Sequence, residues 1–266
     1  MEPKCPGAVE RYIDLSQYYD RSGLQPIKQD ILSVTTEYQG HYKRAYRCLG
    51  AAGELRRDMN ELLDGEQVQQ RLAKRAAGII SRELKGPSQG EGRTDQRFLS
   101  AVTHKGAVAL WDTVSAQAER IYELSDNYAL AHHLLSPILT AALAAGHDAV
   151  ACPDPMSPDR LAHLIFPGLS LAFVTSTQEA PWPHHAFRRL RLDTMADPDV
   201  YRLNRPRLRF TKRVVSALLE EGVTDLVQAK EAHDRLERLY NPYVNFDGVF
   251  GTADRLAQEV LALKDT

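Results

Sequence analysis

From Pro26 to about Asp64, apolar and aromatic residues recur at mostly three- and four-residue steps: Ile27, Ile31, Val34, Tyr38, Tyr42, Tyr46, Leu49 and Leu55, with Lys, Arg and Glu between them. That period lines one face of an α-helix, so one or two long helices are expected there. Residues 66–85, "EQVQQRLAKRAAGIISRELK", predict another amphipathic helix. "GPSQGEGRTDQ" at 86–96 is glycine-rich, polar and without period, the marks of a linker. Beyond it the pattern changes. "RFLSAVTHKGAVALWDTVSAQAE" predicts a short strand and a helix, "RIYEL" a strand, residues 129–145 a helix, "HDAVACP" a strand, "PDRLAHLIFPG" a turn of helix and "LSLAFVTST" a strongly apolar strand. Strands alternating with helices imply a parallel sheet. The tail returns to helices at about 206–221, 223–240 and 252–264, broken at Gly222 and at "NPYVNFDGVFG". The expected organisation is therefore a helical region at 1–90, an α/β unit at 97–195 and a C-terminal helical region at 196–266 that packs on it. Two segments, "VERYIDLSQYYD" at 9–20 and "AFRRLRLDTMAD" at 186–197, share a faint pattern of a short strand and an acidic turn before helices, as two halves built alike would.

Composition adds bounds. The 266 residues, 43% hydrophobic and 26% charged, suffice to bury a core. The longest apolar stretch, "LTAALAAG" at 139–146, is far below the roughly 20 residues of a membrane span, and the N-terminus has no leader pattern, so no membrane partner and a cytoplasmic location are expected. Cys5, Cys48 and Cys152 are odd in number and lack a C-x-x-C spacing, which suggests neither a disulfide framework nor a cysteine zinc site. The formal net charge is −2, yet nine Lys or Arg and only three Asp lie between Arg188 and Arg213. Within that stretch "YRLNRPRLRFTKR" (201–213) interleaves Tyr201 and Phe210 with Arg202, Arg205, Arg207 and Arg209, the makings of a nucleic-acid contact surface, although a solvated helix face has the same composition.

Several groups invite a chemical reading. His132 and His133, and His184 and His185, are adjacent pairs; neighbours on a helix diverge by about 100° and do not share one metal, and no H-x-x-x-H occurs, so no metal site is expected. Asp154 and Asp159 follow the strand "HDAVACP", where a water- or magnesium-directing acid would sit, but "PDPMSPDR" also makes a turn with Ser157 as helix cap and Pro158 behind it. Pro137 implies that the helix in 129–145 starts near Leu135 or bends.

The phrases "PKCPGAVERYIDL", "HYKRAYRCLGAAG", "RFLSAVTHKGAVALWDT", "RIYEL", "LAHLIFPGLSLAFVTS" and "AKEAHDRLERLYNPYVNFDGV" resemble an uncharacterised bacterial family of P-loop ATPases built from two tandem halves. The resemblance implies a P-loop NTPase-like sheet with helical regions before and after it, and ATP with Mg²⁺ as the family's ligands. In that family each half carries a strand, G-x-x-x-x-G-K-[ST] and a helix. Here the first such unit would lie upstream of "PKCPGAVE", and the chain is read as a truncated member that lacks it. In the second, Asp126 and Ala131 stand at the two glycines, His132 at the lysine and His133 at the Ser or Thr.

A phosphate loop works by turning successive backbone N–H groups toward the phosphates. Side chains at Asp126 and Ala131 obstruct that, and the Asp carboxylate repels an anion. His132 is mostly neutral at pH 7, and His133 offers nitrogen where Mg²⁺ prefers oxygen. The resemblance thus implies an ATPase fold, and the replaced residues imply lost hydrolysis: a pseudo-ATPase serving as a binding or regulatory module, with a protein partner or self-association and no tightly held cofactor. The alternatives are a divergent ATPase that uses His132 and arginines of 188–213, and a nucleic-acid-binding module built on 201–213.

Overall fold

The computed structural model describes residues 7–8, 10–84 and 90–263. Cys5, the first part of the 86–96 linker and the end of the 252–264 helix lie outside them. In chain order the elements are α1 (Arg21–Leu24), α2 (Lys28–Leu63), α3 (Glu66–Glu83), β1 (Thr94–Gln96), β2 (Ser100–Thr103), β3 (Gly106–Ala109), α4 (Trp111–Gln117), β4 (Arg120–Ser125), α5 (Ala131–Ala144), β5 (Ala149–Asp154), β6 (Ser157–Phe166), β7 (Leu171–Ser176), β8 (Arg188–Arg191), α6 (Pro198–Tyr240) and α7 (Phe246–Ala262). No helix among the described residues is long and apolar enough to cross a membrane. The chain divides into two compact units, Tyr42–Val227 and a second formed by the segments before and after it. These boundaries differ from 1–90, 97–195 and 196–266, because α2 and α6 each continue from one unit into the other.

The larger unit is α/β. Its six-stranded sheet has the order β1-β5-β6-β7-β4-β8 and is mostly parallel, with β6 antiparallel to both neighbours. The strand period of two sorts side chains onto two faces. Tyr122, Leu124, Leu164 and Phe173 point to a core shared with α2, α3, α5 and α6, while Ile121, Cys152, Ile165 and Val174 pack against Val114 of α4 and Trp182. "RIYEL" and "LSLAFVTST" pair in parallel as β4 and β7, with Tyr122 stacked on Phe173 at 4.9 Å between ring centroids.

Four sequence expectations are corrected. "PDRLAHLIFPG" is no helical turn but the strand β6, whose second half is buried between β5 and β7; Pro158 and the polar residues beside it look like a helix start only until that pairing is seen. Pro153 and Pro158 are tolerated because the β5–β6 register shifts beside Pro153, where ladder bonds are not required. The end of the expected linker, Thr94–Gln96, is a polar edge strand, held by backbone pairing to Ala149–Ala151 and invisible to side-chain periodicity. "RFLSAVTHKGAVA" forms the β2–β3 hairpin rather than one strand, turning at Gly106, whose φ is +89°. Gly222 does not break α6: a Cβ there would meet the Leu49 side chain at 3.2 Å, so the glycine serves close packing against α2.

Pro137 lies inside α5, which begins at Ala131 rather than near Leu135. Of the two segments with the faint shared pattern, 186–197 contains β8, whereas 9–20 contributes only an isolated bridge between Tyr19 and Val244. The smaller unit, described by itself, joins α1, α7 and the adjoining parts of α2 and α6. Asp20 caps α1 through the N–H groups of Ser22 and Gly23, Tyr18 meets Thr252 at 2.6 Å, and Glu37 pairs with Arg235 at 2.5 Å.

Glu83, at the end of α3, ties that helix to β4. Its buried carboxylate accepts hydrogen bonds from the Tyr122 hydroxyl and from Arg120 and Arg82. Burial pushes this carboxyl up, but the Tyr122 bond and the charges of Arg120 and Arg82 outweigh it and the net shift is downward. A carboxyl lowered in the folded state adds stability above the ordinary carboxylate range and loses it as pH falls through the lowered value. Glu83→Gln is therefore expected to cost about 3 kcal/mol at neutral pH in urea unfolding, since it leaves buried partners unmatched. The gap from wild type should narrow below the ordinary carboxylate range.

Candidate functional site

β4 runs between β7 and β8, so the chain leaving its carboxyl end emerges at an interior strand of the sheet, the edge at which open α/β sheets bind ligands. Residues 126–130 connect it to α5. Within that connection the Asp126 side chain turns back on its own loop: Oδ1 accepts the Tyr128 N–H at 3.0 Å and Oδ2 accepts the Ala131 N–H at 2.7 Å. Asp126 is only 1% exposed. Burial pushes its carboxyl up; the N–H groups of Tyr128, Ala131 and Leu130 pull it back, and Asp193 adds to the rise. In either protonation state its oxygens occupy one N–H of the loop and that of the first helical residue.

The loop is braced from several sides. Ala129 sits at φ +56°, a left-handed conformation costly for a residue with a Cβ. Asn60 of α2, itself buried, donates to the carbonyls of Tyr128 at 2.9 Å and Ala129 at 3.1 Å, and Asp193 accepts the Asn127 N–H and side-chain amide at 2.8 and 2.6 Å. Asp126 donates its own N–H to the Ser176 carbonyl of β7.

The four positions singled out in the sequence divide into two pairs. Asp126 and Ala131 meet in this hydrogen-bonded nest. His132 and His133 are engaged elsewhere: His132 Nδ1 accepts the Leu161 N–H of β6 at 3.0 Å, and His133 Nε2 lies 2.9 Å from Asp64 and 3.2 Å from Arg160. Burial lowers the His132 pKa, helped by the charge of Arg160 and by His133. An Nδ1 that accepts a backbone N–H must be unprotonated, which agrees with that direction.

Beside the loop lies a cleft of about 430 Å³, whose wall includes Asp126, Asn127, Asp154, His163, Lys212 and Arg213. Asp154, at the end of β5, pairs with Arg56 at 3.3 Å and accepts the Met156 N–H at 2.8 Å; the segment after it is a hairpin turn rather than a helix cap. Lys212 of α6 stands 4.6 Å from the centre of the Tyr128 ring. His163 is 3% exposed, with Nδ1 accepting the Thr175 N–H at 3.1 Å and Nε2 3.4 Å from Ser100 Oγ. Asn60, Asp193 and Lys212 were missed by the sequence reading as members of one site, because each reaches the loop or the cleft from a distant element and none carries a local motif; Arg213 lies within the 188–213 stretch whose arginines were considered.

The residues present do not fit a nucleotide phosphate with Mg²⁺. Loop N–H groups are taken by Asp126, no lysine stands at the helix start, and both imidazoles are committed to protein groups. Nor do the other histidines assemble a metal centre with Cys152, which is buried with its thiol pushed up to about 11 by desolvation. Among the described residues one possible ligand group exists, His233, Asp234 and Glu237 on α6, but Asp234 is held by Lys230. Along 201–213 several cations are already engaged: Arg202 pairs with Asp199 and Arg207 with Asp58, while Lys212 and Arg213 line the cleft.

Fold and site together define an α/β protein with a mostly parallel six-stranded sheet and a ligand-sized cleft at the carboxyl ends of its strands. The chain matches no family model, no curated protein and no solved structure.

Burial takes His163 from 6.5 to about 4, against a smaller opposing pull from Asp154. Between those values the unfolded chain binds a proton that the folded chain refuses, so stability should fall as pH drops from 6.5 toward 4, by on the order of 3 kcal/mol. Urea midpoints measured across that range, with His163→Gln lacking this part of the slope, check the expectation.

Proposed function

We propose that this chain is a P-loop NTPase-like protein that does not hydrolyse nucleotide and acts as a binding or regulatory module. The observation that carries the reading is the Asp126 carboxyl seated on the N–H groups of Tyr128 and Ala131, at the place where a phosphate loop would offer those groups to its ligand. Phosphoryl transfer rests on positioning and charge stabilisation. A loop that is filled by its own side chain, with no lysine at the helix start, supplies no phosphate cradle of that kind. The binding function then falls to the adjoining cleft, whose lining includes Lys212 and Arg213 of α6 and the loop's Asp126 and Asn127.

A divergent ATPase that uses His132 as a substitute cation gains nothing from this geometry. Its Nδ1 must stay unprotonated to accept the Leu161 N–H, and burial favours the neutral ring.

Calorimetry with ATP and Mg²⁺ tests the reading. The wild-type chain should give no binding heat at pH 6 or pH 7.5, whereas Asp126→Gly, with its loop N–H groups vacated, should be raised in melting temperature by millimolar inorganic phosphate that leaves wild type unmoved. Asp126→Asn, which keeps one acceptor in the nest, serves as the control for folding. Micromolar ATP·Mg²⁺ binding by wild type, or turnover that Asp126→Asn abolishes, would overturn the proposal.

A further inference from the structure

Away from the loop and cleft, the larger unit carries a second concave site. The outward side of α3 presents Arg71, Lys74, Arg75 and Arg82 along a groove of about 380 Å³, completed by Gly78 and by Met195 from the turn after β8. These positions follow the steps of one helical face, while Val68, Leu72, Ala76 and Ile79 on the adjoining face are buried in the core. The groove is lined by four cations and by no carboxylate. The acid nearest to it in sequence, Glu83, is buried and already shared between Arg120, Tyr122 and Arg82. Lys74 and Arg75 make no ion pair among the described residues, and the Arg71 guanidinium is steadied by the Met195 carbonyl at 3.1 Å. Gly78 leaves the middle of the groove open, with nothing within 4 Å of where a Cβ would stand.

A row of exposed cations in a groove lined by no acid, with Lys74 and Arg75 in no ion pair among the described residues, is complementary to a row of negative charges at regular spacing. With a rise of 1.5 Å per residue, Arg71 to Arg82 covers about 16 Å, roughly the reach of four or five phosphates on one nucleic-acid strand. The 201–213 stretch offers less of this, since Arg202 and Arg207 are paired with Asp199 and Asp58 and Lys212 lies over the Tyr128 ring. The geometry points to the α3 groove as a binding site for the phosphodiester backbone of a nucleic acid, contacted through phosphates and without base readout.

Fluorescence anisotropy with single-stranded RNA and DNA 20-mers of one sequence tests this on the full chain. Four phosphate contacts predict that the logarithm of the binding constant falls with that of salt at a slope of about −3. Lys74→Ala/Arg75→Ala should lower affinity by about tenfold or more and reduce the slope to about half, with unchanged melting because both side chains are exposed. The RNA and DNA arms identify which sugar is preferred, and either supports the site. Arg205→Ala/Arg209→Ala, exposed on α6, should bind as wild type does. No binding to either strand at 50 mM salt, binding that the α3 variant leaves intact, or a loss in the α6 variant instead, overturns the proposal.

Discussion

A carboxyl side chain at the start of a helix has two fates: it faces water, or it finds N–H groups that no helix turn has satisfied. Asp126 takes the second. Its oxygens accept the Tyr128 and Ala131 N–H groups, and because it is buried, those bonds are obligatory. Everything around the loop follows from that closure. α5 begins at Ala131, the N–H donor of the stronger bond; Ala129 is held in a left-handed conformation; and Asn60 and Asp193 take up the polar groups that the turn leaves outward. A helix terminus that would welcome an outside anion is thus satisfied from within.

Buried and half-buried polar groups around the sheet are satisfied one by one, mostly by neighbours far away in sequence. Asp154 has Arg56, His163 has the Thr175 N–H, His133 has Asp64, and Glu83 has Arg120 and Tyr122. Each such pair costs desolvation, which the apolar layers on both faces of β4 and β7 offset. The cleft is what remains between these satisfied groups and α6. The α3 groove differs in kind, because its cations face solvent with no matching acid within it.

Legibility followed the source of each signal. α2 and α3 were readable because their apolar residues recur with the helical period, and β4 and β7 because short apolar runs bounded by polar turns suit buried strands. β6 was misread since its first residues are polar and contain Pro158, while its strand character comes from two neighbours pairing on either side. β1 had no side-chain signal at all, and Gly222 looked like a break although it marks a contact with Leu49. At the loop, Asp126, Ala131, His132 and His133 were singled out from the sequence, and the structure brings only Asp126 and Ala131 together. That the Asp126 carboxyl would fill the loop rather than merely repel a ligand was not legible, for it depends on a side-chain rotation.

The sequence by itself determined the helical and strand periods and the α/β character of the central segment, because these are set by residue type and local spacing. Only the tertiary structure decided the strand order, the inward turn of Asp126, the arrival of Asn60, Asp193 and Lys212 at the loop, and the gathering of Arg71, Lys74, Arg75 and Arg82 beside Met195. Those outcomes join residues tens of positions apart, and what selects among such partners is burial and hydrogen-bond satisfaction across the whole core, which no local pattern encodes.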